Sequence, residues 1–242
     1  HSTHCLTGCE LVTTTSFKSV GHPIPLEEYI EIQKYAFRKY KIKTVENKHT
    51  HLVPEELEQL ERLSLTDKHM KLQKSLDAFL FCCYAGMRYS DFTNLSKKNI
   101  VDINQETWLI YKSVKTGTEV RLPLYLLFAG KGIVILNKYR NNLENFFRLR
   151  DNSNINKDLI IIAKLAGLSK KISFHTARHT NATLLIYNGV NITTVQKLLG
   201  HKSVKTTQVY TNIMDMTIVH DLEKIKQAAL GIKKKTDNSF NK

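Results

Sequence analysis

At 242 residues with 42% hydrophobic content, the chain can bury one good core and a small second unit. Lys and Arg number 36 against 22 Asp and Glu, a formal charge of +14 that favours a polyanionic partner, nucleic acid before membrane surface. No run approaches the ~18 apolar residues of a membrane helix, and the opening HSTHCLTGCELVTTTSFKSV lacks the basic start and apolar block of a signal peptide. A soluble, cytoplasmic protein is expected. The adjacent Cys82 and Cys83 sit in an apolar stretch, which suits buried thiols better than a disulfide framework. His4, Cys5 and Cys9 lack the second pair that a zinc spacing requires, so no metal site is expected.

In chain order, the first 20 residues show no firm period, and PLEEYIEIQKYAFRKYKIK then carries Leu26, Ile30, Tyr35 and Phe37 near helical spacing. KTVENKHTH reads as a polar linker. It places a boundary near residues 43 to 51 and divides the chain into 1–48 and 49–242. A helix starts at PEELEQLERL, where Pro54 suits a first helical position and Leu57, Leu60 and Leu63 form a stripe. LQKSLDAFLFCCYAGMRYSDFTNL predicts a buried helix that stops at Gly86 and restarts near Ser90. WLIYKSVKTGTEVRLPL predicts two short strands around a turn at Thr116 and Gly117.

From about residue 131 the pattern is helical again through NKDLIIIAKLAGL, with further helices expected at 175–187, 191–199 and 203–211 and a turn at Asn188-Gly189. MTIVHDLEKIKQAAL is amphipathic through Ile218, Leu222, Ile225 and Ala229, and a polar, lysine-rich tail follows; this C-terminal part spans about 214–242. The expected fold is mainly α with one small antiparallel β-sheet, an α+β arrangement.

Five islands hold the polar residues able to do chemistry: AGMRYSD with Arg88, VKTGTE with Lys115, HTARH with His175 and Arg178, LLGH with His201, and QVY with Tyr210. Singly, each has a plainer reading: Arg88 as a helix cap, Lys115 as a solvated hairpin lysine, His201 as a helix-end residue and Tyr210 as core. Together they supply what phosphodiester transfer through a covalent enzyme intermediate requires. Two arginines can grip non-bridging phosphate oxygens, and a histidine can donate to the same oxygens. A lysine can protonate a leaving alkoxide, and a tyrosine hydroxyl can attack. A free tyrosine, with a pKa of about 10, is ionised in about one molecule per thousand at neutral pH, a deficit of roughly 4 kcal/mol. The site must therefore supply positive potential or a base.

In order and spacing these islands resemble the catalytic domain of the tyrosine recombinase (phage integrase) family: Arg in A-G-x-R-x-x-[DE], Lys on a β-hairpin, H-x-x-R-H, L-G-H, and Tyr nine residues past that last His. The resemblance runs from about residue 52 to 212. It implies the DNA breaking-rejoining catalytic fold, with Arg88 and Arg178 as phosphate clamps and Lys115 as general acid toward a 5′-hydroxyl. It further implies His175 assisting proton transfer at the nucleophile, His201 hydrogen-bonded to the scissile phosphate, and Tyr210 as the residue that forms a 3′-phosphotyrosyl link. Asp91 matches the acidic position and is expected to brace the site, and His179 is expected to pack. Lys112, Lys115 and Lys202 are the expected DNA contacts.

No metal, ATP or other cofactor is implied, because the phosphotyrosine conserves the bond. The implied partners are double-stranded DNA and further copies of the chain in a tetrameric synapse, with possible exchange of the C-terminal helix between subunits, in a nucleoid-associated enzyme of bacterial cytoplasm. Only about 45 residues precede the catalytic region, one helix's worth of a core-binding domain, so that segment is expected to be a remnant in a truncated chain. Val53 stands where family members often place a Thr or Ser cap. The expected function is site-specific recombination, as the integrase of a mobile element. The rivals are a type IB topoisomerase-like enzyme and an inactive, integrase-derived DNA-binding protein.

Overall fold

The computed structural model describes residues 50–210. The helix expected around residues 26–37, the segment 1–48 and the C-terminal amphipathic helix lie outside the described residues.

Helix α1 (Pro54–Glu61) begins where Pro54 has no amide hydrogen to leave unsatisfied, and it turns Leu57 and Leu60 into the core. Val53 offers no capping side chain. The Glu56 carboxylate accepts the Val53 N–H at 2.9 Å instead, which supplies half of a capping box. Just upstream, the Leu52 N–H donates to Thr180 Oγ1 at 3.0 Å and ties the start of the fold to a helix far along the chain.

Helix α2 (Gln73–Ala85) is the central rod, buried continuously from Ser75 to Ala85. Polar breaks are confined to residues with partners, such as Ser75, whose hydroxyl donates to Asp158 at 2.6 Å. The helix ends at Gly86, with φ +67. A Cβ there would stand 2.6 Å from Asn181 Oδ1, so backbone conformation and close approach both demand glycine. Asn181 also donates to the carbonyls of Cys83 and Tyr84 at 2.9 and 3.0 Å, satisfying acceptors that the helix end leaves open.

The chain restarts as α3 (Tyr89–Thr93) and then forms a sheet of order β1-β2-β3, all antiparallel: β1 Ile100–Ile103, β2 Glu106–Lys112 and β3 Glu119–Pro123. Two strands are expected from the sequence, and the third, β1, is joined to β2 by Asn104 and Gln105, both at positive φ. That is the geometry of a two-residue type I′ turn. Leu109, Tyr111, Val120 and Leu122 alternate inward.

Helices α4 (Lys131–Lys138), α5 (Leu143–Phe147), α6 (Asn152–Leu165), α7 (Phe174–Tyr187), α8 (Ile192–Leu199) and α9 (Val204–Gln208) follow. The last is shorter than the 203–211 span expected, and residue 211 lies outside the described residues. Helix α2 packs against α7, α4 and α6, and α8 packs on α7, α9 and strand β3. Phe92 fills the junction of α2, α3 and α5, edge-on to Phe81, Phe146 and Phe147 at centroid separations of 5.9, 5.3 and 5.5 Å.

Phe92 is fully buried among four other rings, Phe174 being the fourth, so its truncation leaves a cavity that a rigid aromatic cluster cannot close. Phe92→Ala is expected to lower stability by about 3–5 kcal/mol, measured by urea unfolding. A loss under about 1 kcal/mol contradicts this packing.

Candidate active site

The site lies where α2, α7 and α8 end or cross, beside the β2–β3 hairpin. Arg178 is at its centre. Although only 1% exposed, its guanidinium donates to the Gly86 carbonyl at 2.7 Å and to the Leu199 carbonyl at 2.5 Å. Those carbonyls close the C-termini of α2 and α8, where the helix dipoles are negative and acceptors are unpaired. Burial first, and the like charge of Arg88 second, pull the Arg178 pKa down to about 10, so it stays ionised at neutral pH.

Arg88 is the N-cap residue of α3 and is half-buried. It leaves the capping of α2 to Gly86 and Arg178. Its guanidinium points to Ser113 Oγ at 3.3 Å and to Asp91 Oδ2 at 3.4 Å. Asp91 is buried and takes the Val114 N–H at 2.8 Å as well as the Ser113 hydroxyl at 3.2 Å. One carboxylate thus ties α3 to the first residues of the hairpin turn and orients Arg88, which is a bracing geometry.

His201 follows Gly200, the left-handed residue that ends α8. A Cβ on Gly200 would meet Val120 Cγ2 at 2.6 Å, so glycine lets the loop press against β3. His201 is buried, and its Nδ1 pairs with Thr207 Oγ1 at 2.9 Å. Burial, then Arg178, Arg88 and His175, lower its pKa from the ordinary 6.5 to about 4. It is a neutral imidazole at pH 7. The tautomer in which Nδ1 accepts from Thr207 carries its ring proton on Nε2, available to donate.

Tyr210 is 6% exposed, and its hydroxyl lies 3.0 Å from His179 Nδ1. Burial raises the hydroxyl pKa, while Arg178 and Arg88 pull it down. The expected role of His179 was packing alone; the structure adds a polar contact to the Tyr210 hydroxyl. His175 is exposed at the start of α7, with its ring edge-on to His179 at 4.5 Å.

Lys115 is exposed in the turn between β2 and β3, as is Lys112 at the end of β2 and Lys202 after His201. The turn docks on the histidine loop: the Thr116 hydroxyl donates to the Gly200 carbonyl at 3.1 Å. Arg88, Arg178, His201 and Tyr210 therefore converge with His175 and His179, and the turn that bears the exposed Lys115 is anchored one residue from His201. The supporting Ser113, Asn181 and Thr207 are not singled out by the sequence, and Thr116 is marked there only as a turn residue. The one available signal was position: Asn181 stands three residues after Arg178 on the same helical face. Among the described residues, no group of three His, Cys, Asp or Glu could hold a metal ion, and no helix is long and apolar enough to cross a membrane. His4, Cys5 and Cys9 lie outside the described residues.

A mainly helical domain with a three-stranded antiparallel sheet is the fold of tyrosine recombinase catalytic domains. Residues 50–216 match the model of the phage integrase family, and the chain belongs to that family. Over 159 residues it is 30% identical to the tyrosine recombinase XerC of Rickettsia prowazekii (strain Madrid E), covering 62% of this chain and 49% of the relative. A solved structure of the XerH site-specific recombinase bound to palindromic difH substrate, a post-cleavage complex, superposes with a TM-score of 0.56 at 21% identity, over 74% of this chain and 54% of the other. A lambda integrase tetramer bound to a Holliday junction gives 0.53 at 19% identity, over 66% and 47%. The chain spans about half the length of the proteins it matches here.

The depressed His201 pKa makes stability depend on acid. Between pH 6.5 and about 4 the unfolded chain binds a proton at His201 that the native site refuses, so stability present above 6.5 is lost as pH falls through that window. His201→Gln removes this part of the slope. Urea unfolding at pH 7 and pH 5 is expected to show a larger loss for the wild type than for the variant, and equal losses contradict a buried neutral His201.

Proposed function

We propose that this chain is the catalytic part of a site-specific DNA recombinase, the integrase of a mobile element, which cuts and rejoins strands through a 3′-phosphotyrosyl bond to Tyr210. The observation that carries the reading is a buried tyrosine hydroxyl held in the field of two arginines. In water that hydroxyl is almost never ionised. Positive charge at the site favours the tyrosinate that must form as it attacks.

The roles follow from position. Arg88 and Arg178 hold the non-bridging oxygens and offset charge growing at phosphorus. Neutral His201 donates through Nε2 to the same phosphate. Lys115, on its docked turn, protonates the 5′-oxygen that leaves. The phosphotyrosyl ester keeps the energy of the broken bond, so the cycle needs neither metal nor ATP. Lys112 and Lys202, exposed beside the site, add sequence-independent phosphate contacts.

The proposed organisation is an N-terminal segment over residues 1–48 followed by a catalytic domain over residues 49–242. Four copies assemble on DNA, and the C-terminal helix from about residue 214 is exchanged between neighbours. Assembly of several copies on DNA is supported by the relation to recombinases whose solved structures hold DNA, among them the lambda integrase tetramer on a Holliday junction. Cytoplasmic action on bacterial nucleoid DNA is part of the same proposal.

The test is covalent trapping. Nicked suicide duplexes tiled across the DNA that flanks the gene are incubated with the wild type and with Tyr210→Phe, then run on a denaturing gel. A protein–DNA adduct is expected with the wild type on at least one duplex and with the variant on none. No Tyr210-dependent adduct on any duplex overturns the reading in favour of a DNA-binding protein without strand-cutting activity.

A further inference from the structure

A group that removes a proton must first lie within hydrogen-bond reach of it. For the Tyr210 hydroxyl the structure supplies such a group in His179, whose Nδ1 is 3.0 Å from Oη. His175, Arg178 and His179 fall on one face of α7 because they are spaced by three and four residues. His179 is buried, while His175, one turn earlier, is exposed and sets its ring edge-on against His179. The inner histidine meets the hydroxyl, and the outer one buttresses it.

We propose that His179 Nδ1, rather than His175, accepts the Tyr210 proton during strand cleavage. The proposal rests on the reading of Tyr210 as nucleophile. In the step, a lone pair of Oη forms the Oη–P bond while its proton passes to Nδ1, leaving His179 as imidazolium. The P–O5′ bond breaks with its electron pair on O5′, which takes a proton from Lys115 Nζ. Rejoining reverses both transfers: the attacking 5′-hydroxyl gives its proton to Lys115, and His179 returns the other to Oη as the Oη–P bond breaks. Atoms and charge balance without a co-reactant. The ground-state tautomer that this requires carries hydrogen on Nε2 and leaves Nδ1 to accept.

Charged and titratable neighbours surround the pair. Arg178 and His175 share α7 with His179, Arg88 precedes α3, and His201 follows α8. The two arginines favour tyrosinate over tyrosine.

The experiment measures the adduct-forming rate against pH on a duplex that the wild type traps, for the wild type, His175→Gln and His179→Asn. Asn places a polar atom near the Nδ1 position yet cannot take a proton, so a merely structural contact survives the change. The expected result is a rate at least about a hundredfold lower for His179→Asn. The acid limb of the pH profile is expected to vanish in that variant and to persist in His175→Gln. A duplex with sulfur in place of the bridging 5′-oxygen has a leaving group that needs no acid. It is expected to rescue Lys115→Ala and to leave His179→Asn slow.

A His179→Asn rate within twofold of the wild type, or rescue of that variant by the sulfur substrate, overturns the proposal while the nucleophile assignment stands. If His179→Asn fails to fold by circular dichroism, the His175→Gln profile decides: an acid limb supports His179, and its absence overturns the proposal. Absence of any wild-type adduct removes the nucleophile reading itself.

Discussion

The geometry of the site depends on one buried cation. Among the described residues no carboxylate is bonded to the Arg178 guanidinium; it is held by the terminal carbonyls of α2 and α8. An unpaired charge in a protein interior is costly. Here the cost is offset by two helix ends whose partial negative charge and unpaired acceptors need a donor, and by the nearby Asp91 carboxylate, which favours the charged form. The dependence is mutual. Without Arg178 two helices end on unsatisfied acceptors, and without those ends the arginine could not remain inside. Gly86 and Gly200 are the residues that allow the ends to approach this closely.

Around that cation, desolvation and charge act against one another on each titratable group. At His201 both lower the pKa, because burial and the two arginines alike oppose an imidazolium. At Tyr210 they have opposite signs, since burial opposes the tyrosinate and the arginines favour it. One pair of positive charges thus adds to burial in keeping a histidine neutral and partly offsets the burial of a hydroxyl. A lysine pair in place of the arginines could match the charge but not the fork that spans two carbonyls.

Much of this was legible in the sequence, for reasons that differ from element to element. The α2 break at Gly86 and the α8 stop at Gly200 follow from local backbone chemistry, and the hairpin around Lys115 follows from strand propensity and a turn glycine. Strand β1 has no clear mark in the sequence because Asn104-Gln105 is a weak turn signal: Asn tolerates positive φ, but Gln rarely does. The contacts of His179 with Tyr210, and of Thr116 with Gly200, join residues 31 and 84 apart in sequence. Such pairings are set by how α7, α9 and the hairpin pack, and no local pattern carries them. The six polar residues could be named from spacing, whereas which histidine meets the hydroxyl is a property of the packing.

Arg178 has five N–H groups, and the two carbonyl bonds leave three. The same side chain can therefore keep both helix ends and still offer donors to a phosphate, so ligand binding need not dismantle the fold. At 1% exposure, however, no phosphate oxygen reaches those donors until side chains above them move. Arg88, half-buried and held by the longer 3.3 and 3.4 Å contacts, is the more readily redirected of the pair. An incoming phosphate would meet Arg88 first and gain Arg178 only as the site opens. On the proposed reading of Tyr210 as nucleophile, engagement of the second arginine would coincide with the phosphate being seated for attack.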